Sequence, residues 1–288
     1  MGKRAVTARP KPIFTLLLTV LFFGIGCSGC APTYPKEKLE ESLIDVCKKE
    51  YGLNVQAKLV DKTLVVFIPL DEFYDAKLDV LPKAVEKIGD VIQVTSRVVF
   101  STDAEIDFYM VVAADVKITA VEIVSIQYIN DLRKLVNGWI GRDEYRKRVL
   151  WERNFDPQYL KDAEFKFEVE PVRLPEFLAK QIAQRINLEF ESLLEYKLQV
   201  KPAFDREKFQ FYFTLLASDD RDFREKFLPV ILREVALVVN AYKFQDFKGV
   251  EVVNLFTKKS VFIEEGDLAE YVSLNKTIKL PINTNFSE

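Results

Sequence analysis

The spacing of apolar residues divides this chain into segments of different period. Ile13 to Gly26 carries no charge at all. From Lys36 to Glu50 apolar residues recur three and four apart (Leu39, Leu43, Val46, Cys47), the period of a helix with one buried face. Gly52 ends it. Leu53 to Val60 alternates, and Thr63 to Leu70 follows across Asp61-Lys62, which predicts a hairpin. Leu81-Pro82 opens a second helix, since proline suits a first turn. Its expected apolar face is Leu81, Val85, Ile88, Val91, Ile92 and Val98, with an end blurred by the β-branched run from Val94. Ala104 to Asp115 and Ala120 to Ile129 read as strands. Asn130 to Val136 and Arg142 to Arg153 read as short helices around Asn137-Gly138.

The plan then restarts. Glu164 to Val169 reads as a strand and Pro175 to about Tyr196 as a helix. Leu198 to Phe204 and Lys208 to Ala217 read as strands. In the second, Phe209, Phe211, Phe213 and Leu215 share one face and Gln210, Tyr212 and Thr214 the other. Phe223 to Tyr242 reads as a helix, Val250 to Thr257 and Ser260 to Ile263 as strands, and Asp267 to Ser273 as a helical turn.

The halves correspond. Tyr51-Gly-Leu53-Asn-Val55 matches Tyr196-Lys-Leu198-Gln-Val200, Leu81-Pro82 matches Leu228-Pro229, and Asp131-Leu132 matches Asp267-Leu268. Ile88, Val91 and Ile92 find Val235, Val238 and Val239 behind the matching proline. The order of elements carries more weight than these few identities. The expected fold class is α+β: two tandem similar lobes of helix-strand-strand-helix-strand-strand order, with antiparallel sheets packed on helices. The expected division is a signal peptide at 1–29, a tether at 30–37, lobes at 38–155 and 160–274, and a tail at 275–288. The symmetry points to a pseudo-symmetric groove between the lobes.

Composition narrows the chemistry. There is no histidine, which removes Ser-His-Asp and Cys-His catalysis and His-ligated metals. Only ten glycines are present, and no Gly-rich phosphate loop. The formal charge of −3 includes four positive charges in the leader, so the remainder carries about −7. A chain of that sign has no general pull toward nucleic acid or anionic lipid.

The leader says where the protein works. Lys3, Arg4, Arg9 and Lys11 precede fourteen apolar residues, and Gly26-Cys27-Ser28-Gly29-Cys30-Ala31 follows. That order is an export signal. An ordinary cleaved secretory peptide is the nearest rival. A retained anchor is the other, and fourteen residues fall short of the ~20 needed to span hydrocarbon. With cysteine after glycine, the segment resembles a bacterial lipoprotein signal, and through it the chain resembles the uncharacterised lipoproteins of bacterial envelopes. The resemblance implies a diacylglyceryl group on the cysteine sulfur, cleavage before it and acylation of the new N-terminus. The lipidated residue is read as Cys30, with Cys27 as the alternative. Neither Ser28 nor Ala31 is an acidic inner-membrane retention signal. The expected place is therefore the outer membrane, facing the periplasm. Cys47, at an apolar helical position, reads as a small buried hydrophobe.

Other clusters have ordinary explanations. Asp71, Glu72, Asp75 and Asp79, and likewise Asp219, Asp220 and Asp222, could bind calcium or supply paired carboxylates. Solvated loop charge and acids ahead of a helix account for both. Arg142 to Arg148 reads as a solvated helix face with i,i+4 pairs, or a docking patch. Phe108, Tyr109, Phe211, Tyr212 and Phe213 read as core rather than a stacking platform. Trp139 and Trp151 could cover core or groove. No catalytic or metal-ligating residue is expected, no cofactor, and no nucleic-acid partner. The expected role is a non-enzymatic interaction or scaffold module, held to the membrane by its lipid and open to other envelope proteins. The alternative is a carrier for a lipid or small apolar ligand in the groove.

Overall fold

The computed structural model describes residues 33–75, 77, 79–117, 121–155, 170–191, 198–215 and 223–268. The expected export leader with Cys27 and Cys30, the strand expected at 164–169 and the acids at 219–222 lie outside them, as does nearly all of the turn expected from Asp267.

The first lobe opens with α1 (Leu39–Tyr51). It ends because Gly52 takes a left-handed φ of 67°, while the Gly52 and Leu53 N–H groups close onto the carbonyls of Lys48 and Cys47. β1 (Gln56–Val60) and β2 (Thr63–Leu70) form the expected hairpin, with Asp61 at positive φ in its turn. α2 (Pro82–Phe100) follows, running through the β-branched stretch to Phe100. Thr95 and Ser96 return their hydroxyls to the carbonyls of Val91 and Ile92. β3 (Phe108–Asp115) and β4 (Val121–Tyr128) complete the unit. α3 (Ile129–Val136) and α4 (Arg142–Arg148) then lead to β5 (Leu150–Phe155). The helix expected to reach Arg153 therefore stops at Arg148, and its last residues are a strand paired to β4. Leu150 and Trp151 belong to the pleat.

The second lobe repeats the first: α5 (Leu174–Glu191), β6 (Lys201–Asp205), β7 (Lys208–Phe213), α6 (Leu228–Tyr242), β8 (Gly249–Asn254) and β9 (Lys259–Glu264). The sheets have orders β1-β2-β3-β4-β5 and β6-β7-β8-β9. The outer pairs are antiparallel as expected, and the central pair of each is parallel. A helix crossover forces this, because α2 and α6 carry the chain back to start the next strand at the same end.

Backbone bonds make the correspondence specific. The Asp107 N–H donates to the Lys62 carbonyl, and the Lys248 N–H to that of Glu207. The Ile129 N–H donates to Asp107, and the Glu265 N–H to Lys248. Asp131-Leu132 and Asp267-Leu268 thus occupy the same place.

The described residues form two apolar cores. Leu64, Val66, Ile68, Tyr109, Val111 and Ala113 face α1 and α2. The other side of the same sheet, with Val65, Phe67, Phe108, Val112, Val124 and Ile126, shares a core with α5, α6 and the second sheet. α5 and α6 lie between the sheets. Phe177 of α5 is 5.2 Å from Phe108, while Asn187 brackets the Val200 backbone just before β6. The lobes therefore stack head to tail, helices of the second on the sheet of the first. The pseudo-symmetric groove is replaced by packed core. Val85, expected inside, is 57% exposed, because α2 has a neighbour on one side only.

Candidate functional site

Polar groups on an otherwise apolar interface mark the seam between the lobes. Asp131 in α3 is 1% exposed and Arg148, the last residue of α4, is 7% exposed. The Arg148 Nη1 donates to Asp131 Oδ1 at 2.8 Å, and Lys134 Nζ lies 3.4 Å from the same oxygen. Tyr242, ending α6, donates its hydroxyl to Asp131 Oδ2. Gln181 of α5 donates through Nε2 to the Arg148 carbonyl at 2.9 Å and the Tyr242 hydroxyl at 2.8 Å. The Arg148 guanidinium sits 5.3 Å from the Tyr242 ring centroid. Its Nε donates to Glu144 Oε1 at 2.8 Å, which also accepts from Arg185 of α5 at 3.1 Å.

These partners set protonation states. Burial, then the Asp131 charge, pushes the Tyr242 phenol far above its ordinary range, so it stays a neutral donor. Burial alone would raise the Glu144 carboxyl; the Arg148 hydrogen bond and the Arg185 charge outweigh it and hold the carboxyl below its ordinary value. An acid that donates a proton near neutral pH needs the opposite shift. The seam is a charge-neutralised latch joining α3 and α4 to α5 and α6, and proton transfer at Glu144 is not what it favours.

A second polar chain crosses the first lobe's helix-side core. Tyr109 donates to Gln127 Oε1 at 2.5 Å, Tyr145 of α4 donates to the same oxygen, and Ser96 Oγ is 2.8 Å from the Tyr109 hydroxyl. Burial pushes Tyr145 up to about 12. Tyr109 is fully buried, as expected of core.

Clefts flank the seam. One of about 470 Å³ lies between β5 and β6, lined in part by Trp151, Arg153, Lys180, Asn187, Leu188 and Pro202. Within its wall, the Gln184 amide accepts from the Trp151 N–H at 3.0 Å and donates to the Val149 carbonyl at 2.9 Å. It satisfies the edge of β5 as another strand would. A second cleft of about 520 Å³ presents Lys147, Arg185 and Arg233 beside Glu144, Glu189 and Glu234. Both are large enough for a small ligand. Their charged walls are not the apolar groove a lipid carrier needs. A third hollow, about 410 Å³, lies within the second lobe beside Phe244, Phe247 and Leu268.

The other expected positions resolve individually. Asp71, Glu72 and Asp79 are exposed, and Asp75 Oδ1 accepts the N–H groups of Lys77 and Asp79. The acid caps its own turn, and Leu81 provides no side-chain cap for α2. Among the described residues no three acidic or cysteine side chains are placed to hold a metal ion. Phe108, Phe211 and Phe213 are core, and Tyr212 is half-buried. Cys47 is fully buried, its thiol raised to about 11 by burial and then by Glu50. In the run from Arg142, Arg142, Asp143, Arg146 and Lys147 form a solvated face, whereas Glu144, Tyr145 and Arg148 turn inward. Trp151 is half-exposed and Trp139 is 75% exposed. Gln181 and Tyr242 were not singled out by sequence reasoning. The usable signal was an amide set among Phe177, Leu178 and Ile182, the one polar residue at the buried positions of α5.

No family model, curated protein or solved structure matches the chain. No helix among the described residues is long and apolar enough to cross a membrane.

Proposed function

We propose that this is a lipid-anchored bacterial envelope protein, attached through Cys30 or alternatively Cys27, whose folded part is a non-enzymatic interaction module. The observation that carries the reading is the order of basic, apolar and Gly-Cys residues in the leader. The absence of histidine supports the non-enzymatic part, since it removes Ser-His-Asp and Cys-His catalysis. The outer membrane facing the periplasm is the proposed place.

The test is metabolic labelling with palmitate in a bacterial host. Incorporation is expected in the wild type and its loss in the C27S/C30S double variant; label that survives that variant sinks the anchor. Native mass spectrometry of the extracted protein tests the role. Associated envelope proteins support the interaction module, whereas a co-purifying lipid or metabolite overturns it in favour of a carrier.

A further inference from the structure

The turn joining α3 to α4 carries the two most exposed large apolar side chains among the described residues, Val136 at 69% and Trp139 at 75%. The turn is built rather than loose. Gly138 takes φ 71°, its N–H donates to the Leu135 carbonyl at 3.0 Å, and the Trp139 N–H donates to that of Lys134 at 2.8 Å. We propose that this tip is a membrane-contact element, resting on the surface of the bilayer that holds the lipid. The inference rests on the lipid-anchor reading above.

Three observations favour a bilayer as the partner. The first is the path of the chain. The Tyr34 N–H donates to the Ser101 carbonyl at 3.1 Å and the Lys36 N–H to Asp103 Oδ1 at 2.7 Å. With the lipid on Cys30, four residues to Tyr34 reach ~14 Å at most, and with it on Cys27 seven reach ~25 Å, so the short tether keeps the loop from Ser101 to Asp107 near the lipid headgroups. α3 starts from that same loop, through the Ile129 N–H on Asp107, and its eight residues span ~12 Å. Phe100, 41% exposed, borders the loop. The second is charge. From Asn130 to Arg148 there are six basic residues against three acidic ones, although the chain as a whole is acidic. Arg133, Arg142, Arg146 and Lys147 are exposed and suit anionic headgroups. The third is the side chain itself. An indole has an apolar body and one N–H donor, which fits the boundary between headgroups and acyl chains. The lipid supplies the attachment and the tip fixes which side of the protein faces the membrane.

The test uses the full-length acylated protein in vesicles of phosphatidylethanolamine and phosphatidylglycerol. The chain has two tryptophans, so W151F leaves Trp139 as the reporter. Lipids brominated just below the headgroup are expected to quench Trp139 several-fold more than Trp151 in the converse W139F variant. Quenching should fall by more than half in R142E/K147E. A control probe comes from the β8–β9 hairpin of the other lobe, where Phe256 is 57% exposed. F256W in a W139F/W151F background is expected to remain unquenched. An acylated mass with Trp139 quenched no more than that control overturns the membrane contact and leaves the anchor standing. So does Trp139 shielded only when an envelope protein is added. An unacylated mass overturns the anchor itself, before any quenching is read.

Discussion

Phe67 in β2 and Tyr212 in β7 hold the same place in their lobes, counted from the hairpin turns at Asp61-Lys62 and Arg206-Glu207. Phe67 is 5% exposed, and Tyr212 is half-exposed with its hydroxyl on Gln210. Along that whole face the first sheet reads Val65, Phe67, Phe108, Met110, Val124 and Ile126. Its counterparts in the second sheet are Gln210, Tyr212, Gly249, Glu251, Ser260 and Phe262. The helix-side faces differ far less, with Leu64, Val66 and Ile68 set against Phe209, Phe211 and Phe213. One unit has therefore been used in two ways. In the first lobe the sheet is buried on both sides and the helices on one. In the second the helices are buried on both sides and the sheet on one. A polar last face ends the stack, as terminal units of repeat proteins do. The Phe262 ring closes over Gly249, where an added Cβ would lie 2.6 Å from it.

Matched substitutions test this contrast. The largest effect is expected at Phe67: F67A should cost about 3–5 kcal/mol by cavity formation, and Y212A about 1 kcal/mol. Urea unfolding of both variants checks it, and equal losses would mean that the second sheet is covered too. Next is Asp131, whose counterpart Asp267 is exposed. D131A removes one of the two carboxylates that pair the buried Arg148, the fully buried one, and should cost about 3–5 kcal/mol. D267A should stay within about 0.5 kcal/mol. Third are the crossover helices. Leu232 of α6 is fully buried, whereas Val85, at the same position of α2, is 57% exposed. L232A should lose about 2–5 kcal/mol and V85A about 0.5 kcal/mol or less, read from denaturant midpoints. A costly V85A would reveal a partner on α2.

The smallest effect concerns pH. The folded-state pKa of Glu144 lies below its ordinary value of 4.5. Its contribution to stability is therefore present above that value and lost as pH falls through the folded-state pKa. E144Q should flatten the acid limb of a stability profile taken from pH 7 to pH 3. The change will be modest, because the carboxylate is 37% exposed and screened by solvent. An unchanged slope would remove Glu144 from the latch.

Several of these differences were legible before folding. β2 reads Thr-Leu-Val-Val-Phe-Ile, a continuous apolar run, and β7 reads Lys-Phe-Gln-Phe-Tyr-Phe, a strict alternation. A sheet buried on both faces gives the first pattern and a sheet with one wet face gives the second. α6 is apolar nearly all round where α2 carries Lys83, Glu86, Lys87 and Arg97 on its outer side. The clearest misreading was Arg142 to Arg153. Eight charged residues among twelve hid the change of period, and Arg148 looked like one more solvated base.

What the sequence alone determined is the local grammar: the repeated order of elements, the turns at Asp61 and Gly52, the prolines that open α2 and α6, and the face each strand buries. Those follow from backbone sterics and the periods of strand and helix, which act over a few residues. Only the tertiary structure decided that the central strands run parallel, that the second lobe's helices serve both sheets, and that Asp131, Arg148, Gln181 and Tyr242 meet. These residues lie up to 111 positions apart. A buried charge declares its partner only when another part of the chain removes it from water, and no period in the sequence encodes that meeting.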